Sequence, residues 1–392
     1  MKNIRLVLVA VFAFFLVESC KKDEPTCVEK IDQLAINQLQ VMGSHNSYRQ
    51  KTFDPILQFI YANLENLPPG FSPDDWDYDH LALDAQFNDY GVRSIELDVY
   101  HDPAGGLFYN RMGLALLGMS PESGAPELLQ PGLKVLHFPD LDYNSNYLTF
   151  KQALQALKTW SVNHPNHVPM VIQVEALTDN PFALLGPPFT NTLTFDKTAL
   201  ESIDAEIKSV FGENLSGVVT PDNVRGTHTS LNEAILHEGW PEVGKTRGKV
   251  LFVLDATSSQ RANYLDGHAS LQGRTMFVYS EPGMAETAFL KYEDPRGKEA
   301  EITQYVQAGY MVRTRADADT KEARSGDVTR REAAFTSGAQ IVSTDYYRPD
   351  PRGGTTAGWT TYSVSLPGGV FAARPNPVNA PADVLTCDVL EQ

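Results

Sequence analysis

Six side chains in this sequence have the types and the order to do acid–base chemistry around a bound cation: His45 and Asn46 within Ser44-His45-Asn46-Ser47-Tyr48, Glu96 and Asp98 in Glu96-Leu97-Asp98, then His137 and Glu175. Three carboxylates drawn to one place repel one another and take up protons in a low dielectric unless a cation joins them. With Asn46 they make an oxygen-only donor set for a hard cation. Calcium tolerates irregular geometry better than magnesium, whereas zinc would draw on the histidines. Unperturbed histidine titrates near pH ~6.5, so His45 and His137 can each give or take a proton. Taken singly, each residue has a plain explanation: a satisfied core histidine, or a Glu175 paired with an arginine such as Arg93. Together, one group per strand end in chain order, they point to a metal site flanked by two proton carriers.

Such a set needs strands that end on one rim. Short apolar, β-branched segments recur at 39–42, 93–99, 133–136, 169–174, 250–254, 276–279, 311–314 and 341–344. Helical patterns fall between them, at 53–64, 150–162, 197–211, 301–308 and 330–337. The alternation predicts an α/β fold, and eight strand candidates predict a closed (β/α)8 TIM-type barrel rather than an open sheet. In that barrel the candidate residues share the face formed by the C-terminal strand ends. Glu96 and Asp98 lie two apart and point the same way, inward, while Ile95 and Leu97 face the helices. One barrel domain is expected over 37–392, with proline-rich insertions at 67–80 and 180–190 and a surface tail at 367–381.

Gly43-Ser44-His45-Asn46-Ser47-Tyr48, Gly91-Val92-Arg93-Ser94-Ile95-Glu96-Leu97-Asp98-Val99-Tyr100, His137 and Pro169-Met170-Val171-Ile172-Gln173-Val174-Glu175 resemble the catalytic half of calcium-dependent phosphatidylinositol-specific phospholipase C. Gly248-Lys249-Val250-Leu251 resembles that family's fifth strand and Gly338-Ala339-Gln340-Ile341-Val342 its last, so the likeness runs over 39–347. The resemblance implies the barrel of PLC-like phosphodiesterases. It also implies Ca2+ held by Asn46, Glu96, Asp98 and Glu175, with His45 and His137 flanking the phosphodiester. In the implied reaction the inositol 2-hydroxyl attacks phosphorus, His137 protonates the departing glycerol oxygen and His45 stabilises the charged phosphorane. Both His45 and Glu96 stand as candidates to remove the hydroxyl proton. Metal-independent bacterial phospholipases put an arginine in place of the metal, and glycerophosphodiesterases usually end their first strand His-Arg-Gly. The intact His45-Asn46 and Glu96-x-Asp98 fit neither. Two alternatives are a glycerophosphodiester phosphodiesterase and a non-catalytic surface lipoprotein that binds inositol lipid or glycan; a binder should tolerate loss of both histidines.

Eukaryotic members carry lysines just after the Gly-Lys-x-Leu strand to grip ring phosphates, whereas this chain continues Val253-Leu254-Asp255. Unphosphorylated phosphatidylinositol, or a glycosylated derivative, is therefore the expected lipid. Asp255 is a candidate for hydrogen bonds to inositol hydroxyls, and Arg313 or Arg315 for contact with the ring or phosphate, with Asp345 a weaker candidate; a rim salt bridge would account for each equally well. The apolar loop 181–189 either dips into lipid beside the site or packs on its own barrel.

A formal net charge of -17 argues against nucleic acid and against adsorption to anionic lipid. Lys2 and Arg5, an apolar run over 6–17 and then Ser19-Cys20 have the layout of an export signal ending at a lipoprotein processing site. Residues 1–20 are thus expected to be a signal peptide, Cys20 the lipidated N-terminus and 21–36 a tether, with the protein anchored to a bacterial outer membrane. Lys21-Lys22-Asp23-Glu24 resembles a tag that sends lipoproteins to the cell surface. Cys27 and Cys387, one near each end of the mature chain, could pair in an oxidising compartment. The expected partner is an inositol phospholipid at a membrane surface. Nothing suggests a coiled coil, so a monomer with no protein partner is expected.

Overall fold

The computed structural model describes residues 24–66, 72–180, 182–183 and 188–391; the expected signal peptide and Cys20 lie outside them. Ten strands form one sheet: β1 (Leu39–Ser44), β2 (Ser94–Tyr100), β3 (Lys134–Val135), β4 (Met170–Ala176), β5 (Val250–Asp255), β6 (Phe277–Val278), β7 (Phe289–Tyr292), β8 (Met311–Arg315), β9 (Ile341–Thr344) and β10 (Ala373–Pro375). Eight run parallel in the order β6-β5-β4-β2-β1-β9-β8-β7. A single parallel bridge from Tyr279 to Phe289 brings β6 to β7 and closes the ring. The fold is a TIM-type barrel.

The helices that bear on the site are α1 (Cys27–Asp32), α2 (Asp54–Ala62), α3 (Leu83–Tyr90), α4 (Met112–Leu116), α5 (Phe150–Asn163) and α6 (Lys197–Phe211). Helix α5 illustrates why they form. Thr149 accepts from the Gln152 amide and Gln152 reaches back to close a capping box, while Phe150, Ala153, Leu154, Leu157 and Trp160 repeat on one buried face. That face joins a core shared with Ile95, Leu97 and Val99, the outward residues of β2. Gly91 ends α3 at φ 66°, where a Cβ would lie 2.0 Å from the carbonyl oxygen of Phe371, so only glycine lets β2 start there.

The expected count of eight staves is right, but its membership is not. The segment 133–136 supplies only β3, which pairs antiparallel with the end of β2 through Val99↔Val135 and Tyr100↔Lys134. It cannot be a stave, because β1 and β4 already flank β2 in the ring. The missing stave is β7, Phe289-Leu290-Lys291-Tyr292, only four residues long and interrupted by a lysine, too short a run to stand out as a strand. His137 therefore sits on the long connection between β2 and β4 rather than at a stave end.

One other expectation changes. Residues 27–36, read as part of a tether, fold onto the barrel: Ile31, Leu34 and Ile36 are buried in the main core. Of the two readings of the loop 181–189, packing on the barrel holds for Phe182 and Phe189, which are buried in a satellite cluster with Ile56, Ile60, Trp76, Leu141 and Tyr143. Leu184 of that loop lies outside the described residues. Cys27 and Cys387 are disulfide-bonded, with their Cα atoms 5.4 Å apart.

Candidate active site

Strand register puts charge into rows across the barrel interior. Asp98 pairs with Glu175 in the ladder and Glu175 with Asp255, so β2, β4 and β5 contribute one carboxylate each to a row. On the far side Lys291 pairs with Arg313. Glu96, Asp98 and Glu175 each present an oxygen atom within 4.8 Å of the others. Tyr48 donates to Asp98 Oδ2 at 2.8 Å, while Asp98 Oδ1 is buried with no hydrogen-bond partner among the described residues. Burial, together with Glu175 and Glu96, pushes the Asp98 carboxyl well above its usual range. Burial, with Asp255 and Glu96, pushes Glu175 up to about 8.

Asn46 is held beside this cluster by a strained turn. Its φ is 47°, unusual for a residue with a side chain, and neighbouring Ser47 is locked to β2 by Ser47 N–H to Glu96 O at 3.0 Å and Glu96 N–H to Ser47 Oγ at 2.8 Å. Asn46 Nδ2 donates to the Tyr78 hydroxyl at 3.2 Å, leaving Oδ1 for another partner. An orphaned buried carboxylate oxygen, an unengaged amide oxygen and an oxygen-only donor set fit calcium.

Both histidines are oriented by ionised aspartates. His137 Nδ1 lies 2.7 Å from Asp142 Oδ2. Burial would raise Asp142, but the fully buried Arg49 beside it and His137 hold it below the usual carboxylate range. Arg49 grips both Asp142 oxygens, from Nη2 at 3.0 and 2.9 Å, and donates to the carbonyls of Trp76 and Tyr78. His45 Nδ1 lies 2.8 Å from Asp345 Oδ1. Burial would raise Asp345 too, but His45 and Arg315 hold it far below its usual range. A carboxylate only accepts, so the proton sits on Nδ1 of each imidazole and Nε2 is left for chemistry. His45 Nε2 accepts from Arg315 Nη1 at 3.3 Å and lies 3.8 Å from Glu96 Oε1. Burial, partly offset by Asp142, lowers the pKa of His137.

His45, Asn46, Trp76, Tyr78, His137 and Arg315 open on one cleft of about 290 Å³. Hollows of about 910 and 500 Å³ lie elsewhere, away from both histidines, so volume alone would have pointed to the wrong place.

The six residues of the motif thus come together, and of the three expected substrate contacts only Arg315 reaches the cleft. Asp255 is held by Gln173 Nε2 at 3.0 Å and by Lys291. Arg313 is held by Glu96 and Glu293. Asp345 turns from a weak ring contact into the partner of His45. Sequence reasoning missed Asp142, Arg49 and Lys291; Asp142 falls five residues after His137, and Arg49 directly after Tyr48, which is the only trace they leave.

A family model described as "Phosphoinositide phospholipase C, Ca2+-dependent" matches residues 34–377. Among solved structures, a calcium-dependent phosphoinositol-specific phospholipase C from Pseudomonas sp. is similar at 16% identity and TM-score 0.51, covering 88% of this chain and 96% of its own. A calcium-dependent phosphatidylinositol-specific phospholipase C from Streptomyces antibioticus shares 16% identity at TM-score 0.48, covering 80% and 95%. At 16% identity the likeness to the Pseudomonas structure speaks for the fold alone. The comparison with curated proteins gave no match. Because the family match takes in every strand from β1 to β10, the chain belongs to the calcium-dependent phosphoinositide phospholipase C family, enzymes that cleave a phosphodiester with calcium as their ion.

Proposed function

We propose that the enzyme cleaves the glycerol–phosphate bond of phosphatidylinositol, or of a derivative glycosylated on the ring, by attack of the inositol 2-hydroxyl on phosphorus. The observation that carries this reading is the pair of histidines, each fixed through Nδ1 by an ionised aspartate and each facing the same cleft beside the acidic cluster. Asn46, Glu96, Asp98 and Glu175 would hold calcium, which when bound supplies positive charge against the phosphoryl oxygens and eases ionisation of the 2-hydroxyl.

The chain's own groups then divide the proton work. His45 Nε2 takes the proton of the attacking 2-hydroxyl; Glu96 is the poorer base, because Arg313 already engages its Oε2. As the oxygen–phosphorus bond forms and the bond to the glycerol oxygen breaks, His137 Nε2 delivers its proton to that oxygen, releasing diacylglycerol and an inositol cyclic phosphate. A phosphodiester anion beside Nε2 favours the imidazolium that this step needs. Arg315, freed from His45 Nε2, has a guanidinium edge to donate to a phosphoryl oxygen. Among the described residues that line the cleft there is no lysine, in keeping with a ring free of extra phosphates.

Export and lipidation at Cys20 are part of the same proposal and would put this reaction at a membrane surface, with the enzyme acting as a monomer.

The test is cleavage of phosphatidylinositol by the purified chain with calcium and with excess chelator, with glycerophosphoinositol as a competing substrate. Calcium-dependent release of diacylglycerol is expected. Cleavage of the deacylated diester alone would instead assign a glycerophosphodiesterase, and turnover of neither would leave a binding protein.

A further inference from the structure

Arg313 stands where a substrate contact was expected, yet its guanidinium faces carboxylates. Nη2 donates to Glu96 Oε2 at 2.7 Å and Nη1 to Glu293 Oε1 at 2.9 Å, and the side chain is 3% exposed. Its neighbour across the β7–β8 ladder, Lys291, binds Asp255 and lies 3.3 Å from Glu293. Glu96, Asp98, Glu175 and Asp255 inside the barrel, with the half-exposed Glu293 at its edge, therefore face Arg313 and Lys291.

We infer that Arg313 sets how tightly the site holds calcium, by engaging Glu96 in competition with the ion. The inference rests on the reading of Glu96 as a calcium ligand. A guanidinium stays charged at any working pH and holds its planar fork in one geometry, so its hold on Glu96 is permanent. An incoming ion must share Glu96 with it and sit near a fixed like charge. The same pairing compensates one of the buried carboxylates when no ion is bound, so the barrel interior does not depend wholly on calcium for its charge balance. Glu293 moderates the effect, because it draws off the other edge of Arg313.

The test is isothermal titration of calcium into chelator-stripped wild type, Arg313→Met and Glu293→Gln. Arg313→Met should bind calcium tighter by about tenfold or more, the scale of removing a unit charge a few ångströms away at an effective dielectric near 20. Glu293→Gln should bind it more weakly, since Arg313 then falls on Glu96 alone. The Glu293 side chain is half-exposed, so that variant carries the test even where Arg313→Met does not fold. Unchanged affinity in Glu293→Gln, or unchanged or weakened affinity in a folded Arg313→Met, overturns the inference while leaving the ligand assignment standing. A wild type that takes up no calcium overturns the assignment and the inference together.

Discussion

Asp142 serves two groups at once, orienting His137 and neutralising the fully buried Arg49. Removing the imidazole and removing its anchor should therefore differ. His137→Ala is expected to lower kcat by about 10²–10⁴-fold, the range for a general acid, with calcium affinity by calorimetry unchanged; normal turnover would remove His137 from the acid role. Asp142→Asn should lower kcat, leave KM nearly unchanged and move the alkaline limb of the pH–rate profile to lower pH, because the amide removes the negative charge that favours the His137 imidazolium. It should also lower stability, since Arg49 is left unpaired in the interior. His80 offers a separate test. Its Nε2 donates to the carbonyl of His45 at 2.7 Å, and burial lowers its pKa to about 4 from an ordinary 6.5. The fold thus keeps His80 neutral, and its contribution to stability is complete above pH ~6.5 and lost as pH falls toward ~4, on the order of 3 kcal/mol. Urea unfolding of His80→Gln, which keeps the donor, should show a smaller loss between pH 7 and pH 4.5 than wild type; an equal loss would show that other groups carry the acid sensitivity.

At the scale of elements, the connection from β2 to β4 does what a stave does elsewhere in the ring: it delivers a reacting side chain to the rim. It is held in place by the satellite cluster, where Trp76 packs edge-on to both His137 and Phe182 with ring centroids 6.0 Å away. Burial of Phe182 there takes it out of contention as a membrane anchor. Among the described residues, apolar side chains that do face outward nearby include those of α4 and the turn after it, where Leu116 is 44% and Met119 46% exposed while Leu114 and Leu117 pack inward on the same cluster. A Leu116→Ser, Met119→Ser variant should fold normally and cleave dispersed short-chain phosphatidylinositol at the wild-type rate, but lose several-fold activity on vesicles. Equal vesicle activity would exclude this edge from lipid contact.

Across the whole molecule, the chain ends are tied together at the face away from the cleft. The Cys27–Cys387 bond joins residues 360 apart in sequence, and Glu391 accepts from both Arg93 and the Val168 amide beneath the barrel. A cross-link over so long a loop is worth on the order of 5 kcal/mol in the chain-entropy account. Cys27→Ser should lower Tm by roughly 6 °C with kcat at 25 °C unchanged, because the bond lies far from the histidines; a matching loss of kcat would tie the clamp to the rim. With a net charge of -17 the molecule gains nothing from general attraction to anionic lipid.

Much was legible from residues alone because it was local. The alternation of strands and helices, the inward pair Glu96 and Asp98, and the run from Ser44 to Tyr48 are written within a few residues of one another, and backbone periodicity carries them directly into space. Only the tertiary structure decided which charges meet. Glu96 and Arg313 are 217 positions apart, on β2 and β8 with two staves between them, and His45 and Asp345 are 300 apart, just past the ends of the paired staves β1 and β9, so each meeting depends on how distant segments assemble in the ring. The sequence pattern likewise marked 133–136 as a stave and passed over 289–292, because a strand's place is set by which edges remain open to pair, a property no short segment contains.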